Sequence, residues 1–175
     1  MAIEVGILRP PSESRSLLVR LVRNCPWNKC TFCPAYKGHK FSLRKTEDII
    51  ADLDEIQKLV KELEGGKSVS LGQLNLWYKS GQKTAFLQDA DALIAPVEQV
   101  EEVILAIKER FPSIERITSY ARANTLCHRA VDDLNRLRQA GLTRIHIGVE
   151  SGADEVLSFV RKGVNFEKQR RAGFR

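Results

Sequence analysis

Three of the four cysteines, Cys25, Cys30 and Cys33, fall within nine residues of the run Arg23-Asn24-Cys25-Pro26-Trp27-Asn28-Lys29-Cys30-Thr31-Phe32-Cys33-Pro34, a C-x4-C-x2-C spacing. Three thiolates this close can hold one metal centre without closing it. A four-iron, four-sulfur (4Fe–4S) cluster normally takes four cysteine ligands, so three leave one iron with an open position. An open position is where a small molecule is bound and activated, and zinc shows the same contrast between closed structural and open catalytic sites. Zinc is also the competing metal. Cys30 and Cys33 with His39 are zinc-like donors, and Cys25 would make a fourth.

Such a loop must be positioned by regular structure. Ser16 to Val22 is a short, mostly apolar run that reads as a buried strand. The cysteine loop leaves its C-terminal end, where α/β sheets and barrels gather cofactor sites. Residues 1–15 read as an extended lead-in, because Pro10-Pro11 bars a helix. Thr46 is placed as an N-cap with Glu47 and Asp48 in the first helical turn. Ile49, Ile50, Leu53, Ile56, Leu59, Val60 and Leu63 then form a one-sided stripe that Gly65-Gly66 ends. Residues 67–83 keep neither a period of 2 nor one of 3.6, and read as an irregular connection with room for a short strand.

Thr84 to Gln88 is a second strand, with Asp89-Ala90-Asp91 at its end. Pro96 opens a second helix, buried along Val97, Val100, Val103, Ile104, Ile107 and Phe111, and Pro112 stops it. Ile114 to Tyr120 is a third strand. A third helix is striped by Ala130, Val131, Leu134, Leu137 and Ala140 and ended by Gly141. Arg144 to Val149 is a fourth strand, and Asp154-Glu155 start a fourth helix. The order β-α-β-α-β-α-β-α, without hairpin signals, implies a parallel sheet with crossover helices.

The 175 residues are enough for one domain with a proper core. No apolar stretch approaches the ~18 residues needed to span a bilayer, and residues 1–9 lack the features of a secretory signal. Clustered cysteines suit a reducing cytosol and a metal rather than a disulfide framework. The net charge of +6 is spread thinly, partly in the run Lys168-Gln169-Arg170-Arg171, with no aromatic-interleaved basic stripe. A nucleic-acid partner is therefore the lesser expectation.

The cysteine run resembles the cluster loop of radical S-adenosylmethionine (radical SAM) enzymes, whose commonest signature is C-x3-C-x2-C with an aromatic residue before the third cysteine. Phe32 supplies the aromatic; one extra residue separates the first two cysteines. The resemblance, from about Leu17 to Lys168, implies a partial (β/α) TIM-like barrel of α/β class. It implies a single radical SAM core domain over residues 1–175, truncated after about four of the usual six βα units. Cys25, Cys30 and Cys33 would hold a 4Fe–4S cluster whose open iron binds the amino and carboxylate groups of SAM. A flavodoxin- or ferredoxin-like reductant would supply the electron that splits SAM into methionine and a 5′-deoxyadenosyl radical.

Four further residues follow from the same resemblance. Phe32 packs beside the adenine or is a core aromatic. Asp91 stands where the family has the Glu of a Gly-Gly-Glu turn, and meets the SAM ammonium or caps the turn before Pro96. Ser119 ends the third strand as a polar contact to SAM or a satisfied hydroxyl. Glu150, in Gly148-Val149-Glu150-Ser151-Gly152, is the expected acceptor for the ribose hydroxyls. Arg122 either meets the SAM carboxylate or stands in solvent. Strand alternation puts His146, Gly148 and Glu150 on one face and Ile145, Ile147 and Val149 on the other. Cys127 and His128 read as a surface pair. An open sheet edge after four units implies self-association. Two other classes remain: a zinc-bound nucleic-acid module, and an Fe–S electron carrier without SAM chemistry.

Overall fold

Four parallel strands form the main sheet of the computed structural model, which describes residues 3–175. They are β1 (Leu17–Arg20), β4 (Thr84–Gln88), β5 (Arg116–Ala121) and β6 (Leu142–Ile147), in the order β1-β4-β5-β6. Between them run α1 (Thr46–Glu64), α2 (Gly72–Lys79), α3 (Val97–Arg110), α4 (Ala123–Leu126) and α5 (Val131–Ala140). After β6 come α6 (Asp154–Phe159) and α7 (Phe166–Gly173).

Alternation decides which side chains meet the helices. Leu17, Val19, Ala85, Leu87, Ile117 and Ala121 join one core with Leu53, Ile56, Val100, Ile104 and Leu137 from the helices. On the opposite face, the rings of Phe86, Tyr120 and His146 meet edge-on at 5.2–6.3 Å. Covering both faces explains why β1 and β4 are apolar runs rather than alternating ones.

The lead-in covers part of the inner face. The Gln88 amide accepts from Gly6 N–H at 2.9 Å and donates to the Leu8 carbonyl at 2.9 Å. Glu4 is held by Arg20, Arg23 and Arg44 at 3.0, 2.7 and 3.3 Å. Glu13 is fully buried, bonded by Ser16 Oγ at 2.5 Å, with Arg116 3.4 Å and His146 Nε2 3.5 Å away. Against Pro10-Pro11 as a helix barrier, Pro11–Glu13 form one 3-10 turn. Pro11 takes its first position, where no N–H is needed.

Both lead-in carboxyls titrate below the usual range. The Arg23 hydrogen bond dominates at Glu4; at Glu13 burial opposes ionisation, but Ser16 and Arg116 outweigh it. Folded-state values below 4.5 contribute stability that is present above pH 4.5 and lost as pH falls through them. Urea midpoints are therefore expected to hold from pH 7 to about 4.5 and drop below it. Glu4→Gln should flatten part of that drop; an equally steep drop in the variant would contradict the assignment.

The structure departs from the sequence expectations in four further places. Residues 72–79 are α2, a helix rather than an irregular connection. Only Leu74 and Trp77 are buried in it, while Leu76 is half exposed, so too few positions carry the period. Helix α7 is mostly polar, buries Gln169 and Ala172, and is capped by Asn165, which accepts from Lys168 N–H at 3.0 Å. Lys45, not Thr46, occupies the N-cap position of α1 and makes no side-chain capping bond. An antiparallel pair also exists, β2 (Val22–Arg23) with β3 (Ser42–Leu43). Among the described residues β6 is paired only with β5, and no helix is long and apolar enough to cross a membrane.

Candidate metal centre and cofactor site

The β2–β3 pair is what carries the cysteines. Its register, Val22↔Leu43 and Arg23↔Ser42, closes both ends of the loop at residues 24–41. Two asparagines turn the chain inside it, Asn24 at φ 67° and Asn28 at φ 48°, a region asparagine tolerates better than most residues. Their side chains staple the loop across itself. Asn24 Nδ2 donates to the Lys40 carbonyl at 2.6 Å, and Asn28 Nδ2 to the Tyr36 carbonyl at 2.5 Å. Asn28 N–H donates to Cys25 Sγ at 3.4 Å.

Behind the loop lies a fully buried carboxylate, Asp89. It accepts from Arg20 at 2.7 and 2.9 Å, from Asn24 N–H at 3.3 Å and from the Tyr36 hydroxyl. Asn24 precedes the first cysteine and Tyr36 follows the third, so one carboxylate fixes both flanks. Burial and then the Asp89 bond push the Tyr36 phenol far up, so it stays a donor. Gly6 is required beside it, since a Cβ there would stand 2.7 Å from Asp89 Oδ1.

The loop's other flank rests on the turn after α6. Thr31 N–H donates to the Val160 carbonyl at 3.0 Å, and Trp27 Nε1 to the Arg161 carbonyl at 2.7 Å. Gly163, at φ 72°, lies under the Trp27 ring; a Cβ would stand 2.4 Å from Cε2. Gly163→Ala is expected to cost roughly 2 kcal/mol or more and to expose Trp27. Thermal midpoints and tryptophan emission check this; an unshifted midpoint would contradict the contact.

The three thiols are free and half-buried. Burial pushes the Cys30 thiol up, Lys162 and Arg122 pull it down, and Cys25 and Cys33 are near enough to add repulsion. Among the described residues no three His, Cys, Asp or Glu side chains are grouped to hold one metal ion. That holds for the competing zinc donors, Cys25, Cys30, Cys33 and His39, which zinc would draw to within about 2.3 Å of one point. A four-iron cluster takes each thiolate on a different iron. Three free, half-buried thiols in one loop are a donor set that fits it.

Phe32 is 49% exposed, beside the thiols and not in the core. Lys162 Nζ lies 5.7 Å from its ring centroid and donates to Glu150 Oε1 at 2.8 Å. Phe32, Lys162 and Glu150 are thus brought together. Glu150 sits past the end of β6 at φ 64°, so strand alternation does not reach it. Within β6 alternation holds: His146 is on the inner face, while Ile145 and Ile147 line a groove with Leu134 and Ala172.

Two expected cofactor contacts are placed otherwise. Asp91 is fully buried and accepts from Arg122 N–H at 3.0 Å and Thr125 Oγ1 at 2.6 Å, holding α4 rather than facing a ligand. Burial raises its pKa, so acid relieves Asp91 while it loosens Glu4. Ser119 is on the helix-facing side of β5, bonded to the Tyr120 carbonyl at 2.9 Å. Arg122 is engaged too, with the Lys162 carbonyl at 2.9 Å and over the Trp27 ring at 5.2 Å. Cys127 is buried rather than at the surface, 3.3 Å from His128 Nδ1.

Sequence reasoning passed over Tyr36 and Lys162, and gave the role at the end of the second strand to Asp91 rather than to Asp89, two positions before it. Lys162 carried a weaker signal, a cation twelve positions past Glu150. Backbone strain marks the same place: of five non-glycine residues with positive φ, Asn24, Asn28, Glu150 and Arg161 border this site.

The fold is thus a parallel α/β sheet carrying a three-thiol loop at its C-terminal strand ends. The sequence model of the Radical SAM superfamily matches residues 19–173, and the chain belongs to that superfamily. No curated protein matches it. Solved structures of the cobalamin-dependent S-adenosylmethionine radical enzyme OxsB share the fold. With aqua-cobalamin and S-adenosylmethionine bound, the TM-score is 0.57 at 23% identity, covering 88% of this chain. With aqua-cobalamin alone it is 0.61 at 22% over 87%, and for the apo enzyme 0.60 at 21% over 88%. The chain spans about a fifth of each OxsB chain, 21% of its length.

Proposed function

We propose that residues 1–175 are one radical SAM core domain that binds a 4Fe–4S cluster through Cys25, Cys30 and Cys33 and S-adenosylmethionine beside it. The observation that carries this reading is a loop of three free thiols with Phe32 on it, beside Lys162 and Glu150, at the C-terminal ends of the strands. When bound, the cluster and SAM together supply one-electron cleavage of a sulfonium to methionine and a 5′-deoxyadenosyl radical, which abstracts hydrogen from a substrate.

The chain's own residues do the positioning. Asp89, Tyr36 and Asn28 fix the loop, and the Asn28 N–H bonds Cys25 Sγ. Burial raises the Cys30 thiol, and Lys162 and Arg122 offset part of that rise. Phe32 offers an exposed ring face for an adenine. Glu150 keeps an oxygen free of Lys162 to accept from ribose hydroxyls. Asp91 and Ser119 hold the protein's own backbone and take no part in binding.

The remaining partners are a cytosolic flavodoxin- or ferredoxin-type reductant and a second protein surface along the unpaired β6 edge, since bare edges invite pairing. The testing experiment is anaerobic incubation of the reconstituted chain with dithionite and SAM. Cluster-dependent formation of 5′-deoxyadenosine and methionine supports the reading; a fully loaded chain that leaves SAM intact contradicts it.

A further inference from the structure

The solvent side of the cysteine loop carries an unusual charge balance. From Ser14 to Thr46 the sequence contains no Asp or Glu, yet it contains eight Lys and Arg. Three of these, Arg20, Arg23 and Arg44, are neutralised by Glu4, Asp52 and Asp89. Lys29, Lys37 and Lys40, on the loop itself, are exposed and make no ion pair among the described residues. Arg161 joins them from the turn that clamps Trp27; it too is exposed and unpaired among the described residues. The carboxylate nearest in the adjoining cavity, Asp154, is turned to the Phe166 N–H at 2.6 Å.

We propose that this face is the docking surface for a small acidic one-electron carrier protein. The proposal rests on the functional reading above and names where its reductant lands. A cationic rim attracts an acidic partner from a distance and orients it on arrival. Phe32, an exposed apolar residue, and the three half-buried thiols lie on the same loop as Lys29, Lys37 and Lys40, so a centre held by those thiols would be close to a partner docked there. Small polar-rimmed patches of this kind are typical of transient electron-transfer encounters, which bury less than about 1,200 Å². One electron crosses: the carrier is oxidised by one, the centre in the loop is reduced by one, and no atom is transferred.

Nucleic acid is the other partner a cationic face attracts, and the aromatic geometry disfavours it. Single strands need a series of free ring faces to stack on. Here Trp27 is covered, with Gly163 under its ring and Lys29 Nζ 5.0 Å from the ring centroid.

The test uses an acidic flavodoxin as the probe, with the chain carrying K29E/K40E/R161E, or the neutral K29Q/K40Q/R161Q in case reversal disturbs the loop. Flavin fluorescence measures binding to the cluster-free chain, and absorbance follows reduction of the reconstituted one. Binding and carrier-driven reduction should each weaken roughly tenfold at low salt, with a flatter salt dependence, while dithionite reduces all forms equally. Charge-independent binding and reduction, with dithionite reduction intact, would sink this proposal alone. So would a single-stranded oligonucleotide that binds through the same cations while flavodoxin does not. A chain that dithionite cannot reduce would sink the functional reading and this proposal with it.

Discussion

Replacing Asp89 with Ala is expected to have the largest effect of any single change outside the cysteines. The substitution removes the buried one of two carboxylates that pair with the Arg20 guanidinium, only 13% exposed, leaving it Glu4 alone, and leaves the Asn24 N–H and the Tyr36 hydroxyl without their acceptor. Breaking a buried pair by removing one partner costs about 3–5 kcal/mol, a large share of a small domain's stability. Both flanks of the cysteine loop are released at once, so iron uptake should fall together with the denaturation midpoint. Asp89→Asn keeps the shape and one good acceptor, and should lie between wild type and Ala in both readouts. Tyr36→Phe removes one bond and should cost less than either. A chain carrying Asp89→Ala with wild-type stability and iron content would show that the loop is held by something else.

The cysteines predict the opposite pairing of effects. Each thiol is half-buried, and the loop is held by Asn24, Asn28, Tyr36 and Trp27 rather than by sulfur. Cys25→Ser, Cys30→Ser and Cys33→Ser should therefore change the cluster-free chain's stability by less than about 1 kcal/mol. Each should nevertheless abolish the uptake of about four irons per chain on anaerobic reconstitution. Cys127→Ser is the control: its thiol lies buried beside Asn124 and His128, and iron content should stay at the wild-type level. Full iron in any of the three loop variants would remove that cysteine from the ligand set.

Much of this was legible in the sequence because strong local signals agreed with the fold. The strands at 84–88 and 116–121 and the buried stripes of α1 and α3 follow from period and composition alone. The three-cysteine loop was legible for the same reason, since reactive side chains so close in sequence must also be close in space. What the sequence hid was long-range pairing. Asp89 gains its role from residues 53 and 69 positions away, Tyr36 and Arg20. Nothing local marks one carboxylate at a strand end as buried and its neighbour Asp91 as a helix anchor. Helices α2 and α7 were hidden differently: each buries only two side chains, too few to print a period.

The site shows the same division. Glu150 was found by its place after the fourth strand, but its left-handed backbone and its bond to Lys162 are tertiary facts. Ser119 takes the satisfied-hydroxyl alternative by a matter of parity. In β5 it shares a face with Ile117 and Ala121, which belong to the helix-side core, so its hydroxyl looks away from the concave side.

The most direct test of the central claim, an open iron beside a SAM site, is electron paramagnetic resonance of the anaerobically reconstituted, dithionite-reduced chain with and without S-adenosylmethionine. The account predicts a cluster signal at about four irons per chain that changes shape when SAM is added. A cluster signal indifferent to saturating SAM would contradict it.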